Sequence, residues 1–191
     1  MPAIPYFRLV LIRDEQPEDR QDVAAIHRTA FGDHGNVVVP LVDDLRRSLL
    51  TEPGRSLVAV DEHGRVVGHV LFTRNLLDAP QQLVDVQVLS PLGVRPENQR
   101  QGVGAQLIRH GIRALDALGV PAVFLEGAPS YYARFGFAAG RHHGFRRPSL
   151  RIPAEAFQVR LLAAYAPWMT GTLVYRDEFW RHEAIGLRPA A

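Results

Sequence analysis

Between Leu83 and Leu118 the apolar residues change period across a polar junction. Val84, Val86 and Val88 alternate with Asp85, Gln87 and Leu89, the two-residue period of a strand. Val103, Leu107, Ile108, Ile112, Leu115 and Leu118 then recur at three and four residues, the stripe of an amphipathic helix. The junction itself reads Arg95-Pro96-Glu97-Asn98-Gln99-Arg100-Gln101-Gly102-Val103-Gly104. Turning the chain needs one glycine, and here two stand at the mouth of a helix. The first helical turn leaves backbone N–H groups unpaired, and the helix dipole favours an anion beside them. A sheet with helices packed on it is therefore required, and the junction is expected to hold an anion.

The rest of the chain supplies the other elements. Tyr6 to Ile12 reads as a first strand, and Pro17-Glu18-Asp19 starts a helix carrying Val23, Ile26, Ala30 and Phe31. A second helix is predicted from Pro40 to Leu50, with Leu41, Leu45 and Leu49 on one stripe. Strands at 56–60 and 66–72 flank Asp61-Glu62-His63-Gly64, a hairpin signal. Pro91 cannot donate to a ladder and predicts a bulge or an unpaired edge. Gly119 is placed to end the long helix. A short strand at 120–125 and a short helix at 129–135, stopped by Gly136, follow. Beyond Gly140 the pattern weakens to loop, with two further strands at 157–162 and 172–175. This order predicts an α/β (α+β) fold with a mixed sheet covered by helices, not a pure βαβ ladder.

A chain of 191 residues is long enough for one domain with a real core. It has no cysteine, which excludes disulfides, thiolate metal sites and a thiol nucleophile. All 22 basic residues are arginine, so no lysine is available for Schiff-base or general-base work. The net charge of +2 gives no argument for nucleic acid. No apolar run reaches the roughly 20 residues of a membrane span. The N-terminus is too soon acidic for a secretory signal. A cytoplasmic protein is expected.

Three phosphate-binding patterns compete for the glycine junction. A Walker loop needs a lysine, and there is none. A dinucleotide fingerprint needs a third glycine where Leu107 stands, although Glu126 lies about twenty residues on, as a ribose-binding acid would. Gln99-Arg100-Gln101-Gly102-Val103-Gly104 fits the third pattern, [RQ]-x-x-G-x-[GA], preceded by Val94-Arg95-Pro96. That motif resembles the acyl-CoA loop of the GNAT N-acetyltransferase superfamily. Tyr132-Ala133-Arg134-Phe135-Gly136-Phe137 resembles the Y-x-x-x-G-F end of the same superfamily. The run from Glu126 to Phe137, with Ala156-Phe157-Gln158-Val159 and Gly171-Thr172-Leu173-Val174-Tyr175, is most similar to its YhbS-type members. The sequence departs from that group at Ala128, and it lacks the asparagine that many members place before the tyrosine helix.

The resemblance implies the GNAT fold, a mostly antiparallel mixed sheet flanked by helices and splayed at two central strands. It implies a core over 1–140, with 141–191 as a C-terminal extension packed on the same domain. Acetyl-CoA is the implied cosubstrate, without a metal, and the implied partner is an amine, small or peptidic, with a homodimer left open. The cofactor would lie on the backbone of Leu92, Gly93 and Val94 and on Gln99, Arg100, Gln101, Gly102, Val103, Gly104 and Ala105. Tyr132 is the family-matched acid for the departing thiolate, and Tyr131, one step round the helix, is assigned to packing. The general base is Glu126 or Asp85. His27, His34, His142 and His143 show no ligand spacing with a carboxylate. A non-catalytic acyl-CoA sensor on the same fold is the alternative reading.

Overall fold

A computed structural model of the chain describes residues 10–186. In order come β1 (Leu11–Asp14), α1 (Arg20–Phe31), α2 (Gly35–Ser48), β2 (Gly54–Val60), β3 (Val66–Asp78) and β4 (Leu83–Val94). They are followed by α3 (Val103–Ala117), β5 (Ala122–Glu126), α4 (Pro129–Tyr132), β6 (Ala138–Ala139) and β7 (Phe145–Arg146). The chain ends with β8 (Phe157–Leu161), β9 (Gly171–Val174) and α5 (Asp177–Arg181). Among the described residues the strands form one sheet in the order β1-β2-β3-β4-β5-β8-β6. β9 lies antiparallel to the far end of β3, beyond the reach of β2, and parallel to β7. The remaining parallel pair is β4 with β5, so the sheet is mixed and mostly antiparallel. No helix among the described residues is long and apolar enough to cross a membrane.

Alternation along β2 shows why helices cover both faces. Leu57 and Ala59 pack under α3 with Phe72, Val103 and Leu107. Val58 and Val60 face the other way, against Val23, Ile26 and Val42 of α1 and α2. A third cluster joins Val84, Val86 and Val88 of β4 to Phe124, Phe145, Phe157, Tyr175, Phe179 and Ile185. Aromatic residues from after 140 thus complete the core beside β4 and β5. Burying one phenylalanine of this kind contributes about 1.5–3 kcal/mol.

Two local irregularities shape the middle of the sheet. Val70 pairs with Leu92 and Phe72 with Leu89. Ser90 and Pro91 therefore stand opposite Leu71 alone, which is the bulge that Pro91 predicts. In addition, β4 and β5 pair only at Gln87–Val123 and Val88–Phe124. From Leu89 onward the edge of β4 toward β5 has no strand partner among the described residues.

Several predicted boundaries need correction. β1 starts at Leu11, and Tyr6 to Leu9 of the predicted first strand lie outside the described residues. α2 begins at Gly35 and carries Pro40 inside it instead of starting there. β3 runs six residues past Phe72 to Asp78. The supposed loop after Gly140 contains β7, and α5 follows β9.

Candidate active site

The glycine junction folds as its motif requires. Arg100 has φ of 59° and Gly102 of 84°, both left-handed, and α3 starts at Val103. The glycine carries this geometry without the strain a Cβ brings. The Gln99 side chain donates to the Val94 carbonyl at 3.1 Å, and that of Gln101 to the Glu97 carbonyl at 2.7 Å. These two glutamines therefore shape the loop, and their amide groups are turned back onto the chain. The N–H groups of Val103, Gly104 and Ala105 lie in the first turn, where no intrahelical acceptor exists. A Cβ on Gly104 would come within 2.9 Å of the Tyr131 hydroxyl. Tyr131, assigned to packing from sequence, thus brings its hydroxyl to the phosphate-loop end of α3.

Leu92, Gly93 and Val94 pair on one side with Val70, His69 and Gly68, and on the other side face the gap left by β5. Gly93 has a second constraint from α1. A Cβ there would stand 2.9 Å from His27 Nδ1 and 3.0 Å from Ile26 Cγ2.

Where β4 and β5 part, a cavity of about 1040 Å3 opens. Val88 to Leu92 form one side, and Glu126, Gly127 and Tyr132 the other. Phe31, Val38 and Leu41 wall it from α1 and α2, and Tyr175 and Phe179 from the tail. Tyr132 and Glu126, expected as acid and base, are therefore brought to one cavity. The Tyr132 ring stands against Gly127, at a distance that no Cβ would permit. It also packs edge-on to Tyr131 (centroids 4.9 Å apart, 83° between planes) and to Phe137. Burial, and to a lesser degree the neighbouring Tyr131, push the Tyr132 hydroxyl up to about 12.

Glu126 ends β5 and is held on both oxygens. Oε1 accepts from the Tyr175 hydroxyl at 3.0 Å, and Oε2 from the Gly186 N–H at 3.1 Å. Burial raises its pKa, while these two donors and the nearby Arg151 guanidinium oppose the rise without cancelling it. The partners come from 49 and 60 residues downstream, and no local pattern in the sequence points to them. Tyr175 was legible only as the end of a strand.

Asp85 does not join this group. Its strand partner is Leu76, near the outer end of β4. Its side chain is 58% exposed and sits 2.6 Å from Arg74. The alternation gave its face correctly, but not its distance from the cleft. The histidines are also dispersed: His27 bonds His69 in the core at 2.7 Å, His34 stands at the cavity rim, and His142 and His143 lie beyond β6.

The chain's likeness to known proteins agrees with this geometry. Residues 11–140 match the model of the acetyltransferase (GNAT) domain. The chain is 35% identical to the uncharacterized N-acetyltransferase YhbS of Escherichia coli K12 over 175 residues, covering 90% of this chain and 99% of the relative. The crystal structure of Escherichia coli YhbS in complex with CoA superposes with a TM-score of 0.80 at 33% identity, covering 95% of this chain and 97% of that one. A GNAT acetyltransferase from Brucella melitensis in complex with acetyl-CoA gives 0.70 at 28% identity, covering 90% and 99%. A glycine loop at the start of α3, a sheet parted beside it and a match over most of the length lead to one assignment: the chain belongs to the GNAT acetyltransferase family.

Proposed function

We propose that this protein moves the acetyl group of acetyl-CoA directly onto a primary amine in the cleft between β4 and β5. The observation that carries this reading is the early end of β4–β5 pairing at Val88–Phe124, which opens the cavity holding both Tyr132 and Glu126. The unpaired edge at Leu92 to Val94 suits the pantetheine amides, which would add to the sheet as a short strand. The loop from Gln99 to Ala105 suits the pyrophosphate, with backbone N–H groups, no Cβ at Gly104, and the Tyr131 hydroxyl beside it.

The chemistry then divides between two side chains. An alkylammonium of pKa near 10 must lose a proton before it can attack. Glu126 takes that proton, directly or through water, and its upward shift makes it a better base than an exposed carboxylate. The amine nitrogen bonds to the thioester carbonyl carbon, the carbon–sulfur bond breaks, and the second proton that nitrogen loses as the amide forms ends on the departing sulfur, giving the amide and the CoA thiol. Tyr132 donates its hydroxyl proton toward the departing sulfur. A phenol near 12 does not hand its proton completely to a thiolate of ordinary pKa, about 8.5. Its first contribution is therefore a hydrogen bond to sulfur as charge develops there, in a cavity where burial also raises the thiolate. No covalent acyl-enzyme is needed, in keeping with the lack of cysteine.

Tyr132→Phe keeps the ring packed on Gly127 and removes the hydroxyl. The expected result is a kcat lower by ~10²-fold with acetyl-CoA affinity little changed. Steady-state CoA release and calorimetry measure the two quantities. Equal kcat in both proteins would make Tyr132 a packing residue.

A further inference from the structure

We propose that Tyr131 is a cofactor ligand whose hydroxyl donates a hydrogen bond to the acyl-CoA pyrophosphate at the first turn of α3. This rests on reading the glycine loop as the pyrophosphate site. α4 carries two neighbouring tyrosines and sends them to different places. A Cβ on Gly104 would stand 2.9 Å from the Tyr131 hydroxyl, 3.7 Å from Val94 Cγ2 and 3.9 Å from Leu92 Cδ2. That hydroxyl therefore lies between the mouth of α3 and the inner half of β4. The Tyr132 ring instead covers Gly127 and lines the cavity between β4 and β5. The two rings meet edge to face with centroids 4.9 Å apart, so one turn of α4 can serve both ends of the cofactor arm.

The surroundings of the Tyr131 hydroxyl call for an acceptor from outside the chain. It makes no hydrogen bond to another described residue. On one side stands the first turn of α3, whose N–H groups at Val103, Gly104 and Ala105 are donors. On the other stand Leu92 and Val94, which are apolar. Neither the amides nor these side chains can accept a proton from a phenol. Phosphate oxygens accept from the phenol and from the helix amides alike, and a hydrogen bond to a charged oxygen is stronger than one between neutral groups. The aim of the ring is fixed without the hydroxyl. The ring is tilted against Phe135 with centroids 5.6 Å apart, and the Arg134 guanidinium carbon stands 4.3 Å from the ring centroid. A phenylalanine would keep all of these contacts, so packing alone does not account for the oxygen.

The test is calorimetry on the full chain, with Tyr131→Phe, Tyr132→Phe and Gly104→Val measured beside the wild type. Tyr131→Phe removes an oxygen that bonds no described residue, so folding is not at issue. Its affinity for CoA should fall roughly fivefold or more, and that for acetyl-CoA by the same factor, because the acetyl group lies at the other end of the arm. ADP carries the pyrophosphate without the pantetheine arm. Titrated in competition with CoA, it should lose affinity by the same factor in Tyr131→Phe and be unaffected in Tyr132→Phe. Wild-type CoA affinity in Tyr131→Phe together with a loss in Gly104→Val would overturn the role of Tyr131 and leave the loop standing. Wild-type affinity in both would overturn the loop reading and this inference with it. A loss for CoA but not for ADP would put the hydroxyl on the pantetheine arm and overturn the pyrophosphate assignment. A loss for both, while a panel of primary amines releases no CoA from acetyl-CoA, would uphold Tyr131 as a ligand and overturn the transferase reading instead.

Discussion

At the scale of single residues, one buried environment is proposed to serve two opposite proton tasks. Burial raises both Tyr132 and Glu126, and the consequence differs because the proposed acid must be protonated and the proposed base ionised. For Tyr132 the rise removes any ionised fraction at neutral pH. For Glu126 it moves loss of the active form to higher pH. Activity should therefore fall on the acid side as pH drops through the raised Glu126 pKa, above the ordinary carboxylate value of about 4.3. Glu126→Gln lacks that titration. We expect its kcat to be lower by ~10²-fold and the acid limb of its kcat/KM profile to disappear. An acid limb that survives unchanged in the glutamine variant would assign the base to another group. Tyr175 and Gly186 make this substitution imperfect, since one of their donors would face the new amide NH2. A profile is accordingly more informative than a single rate.

At the scale of elements, the proposed cleft depends on how one helix begins and where two strands part. Gly104→Val puts a branched side chain over the open first turn of α3. A Cβ at that position meets the tip of Tyr131 at 2.9 Å and nothing else closer than 3.7 Å, so the helix itself need not shift. Acetyl-CoA affinity should fall at least tenfold, or ~1.4 kcal/mol, with the melting temperature little changed. Wild-type affinity in a folded variant would remove the loop from the proposed site. This element was legible in the sequence because the change from two-residue to helical period brackets the glycines. The turn at Gly136 was legible for a similar local reason, and it does adopt a φ of 79°. α2 was misjudged because proline favours the first turn of a helix. Here Pro40 forgoes one hydrogen bond inside the helix, while Val38, Leu41, Val42 and Leu45 are buried around it. β7 and α5 span two and five residues, too few for any period to show. The contacts that complete the site, Tyr175 and Gly186 to Glu126, belong to no local pattern at all.

At the scale of the whole molecule, a buried polar chain ties five segments together behind β4. Arg46 of α2 grips Glu15, just after β1, with contacts of 2.7 to 3.1 Å. Ser56 of β2 bonds Glu15, His69 Nε2 of β3 lies 2.9 Å from the Ser56 hydroxyl, and His27 Nε2 of α1 lies 2.7 Å from His69 Nδ1. An ionised Glu15 fixes the direction of the chain. The serine O–H must donate to the carboxylate, so His69 Nε2–H donates to serine, and His27 Nε2–H donates to His69 Nδ1. His27 Nδ1 is left as an acceptor without a partner among the described residues, facing Gly93. Both rings are thus neutral, and burial pushes His27 down to about 2 and lowers His69 as well. For Glu15 burial acts upward, but the nearby His69 ring, the Arg46 guanidinium and the Ser56 hydroxyl together win and hold it well below the carboxylate range. All three groups therefore have folded pKa values below their unfolded ones. The unfolded chain binds the extra protons, so the stability they supply is full above their unfolded pKa values and is lost on acidification. For each histidine the loss begins near pH 6.5 and proceeds at ~1.4 kcal/mol per pH unit. Glu15 adds to it only below about pH 4.3. Denaturant unfolding at pH 7.5, 6.5, 5.5 and 5.0 should show wild-type stability falling through this window. His27→Phe keeps a ring against Gly93 but strands His69 Nδ1, so it should be less stable at pH 7.5. Below pH 6.5 its stability should fall less steeply than that of the wild type, by ~1.4 kcal/mol per pH unit, because one proton-binding group of the unfolded chain is gone. Parallel pH curves for the two proteins would mean that His27 is not held neutral in the fold.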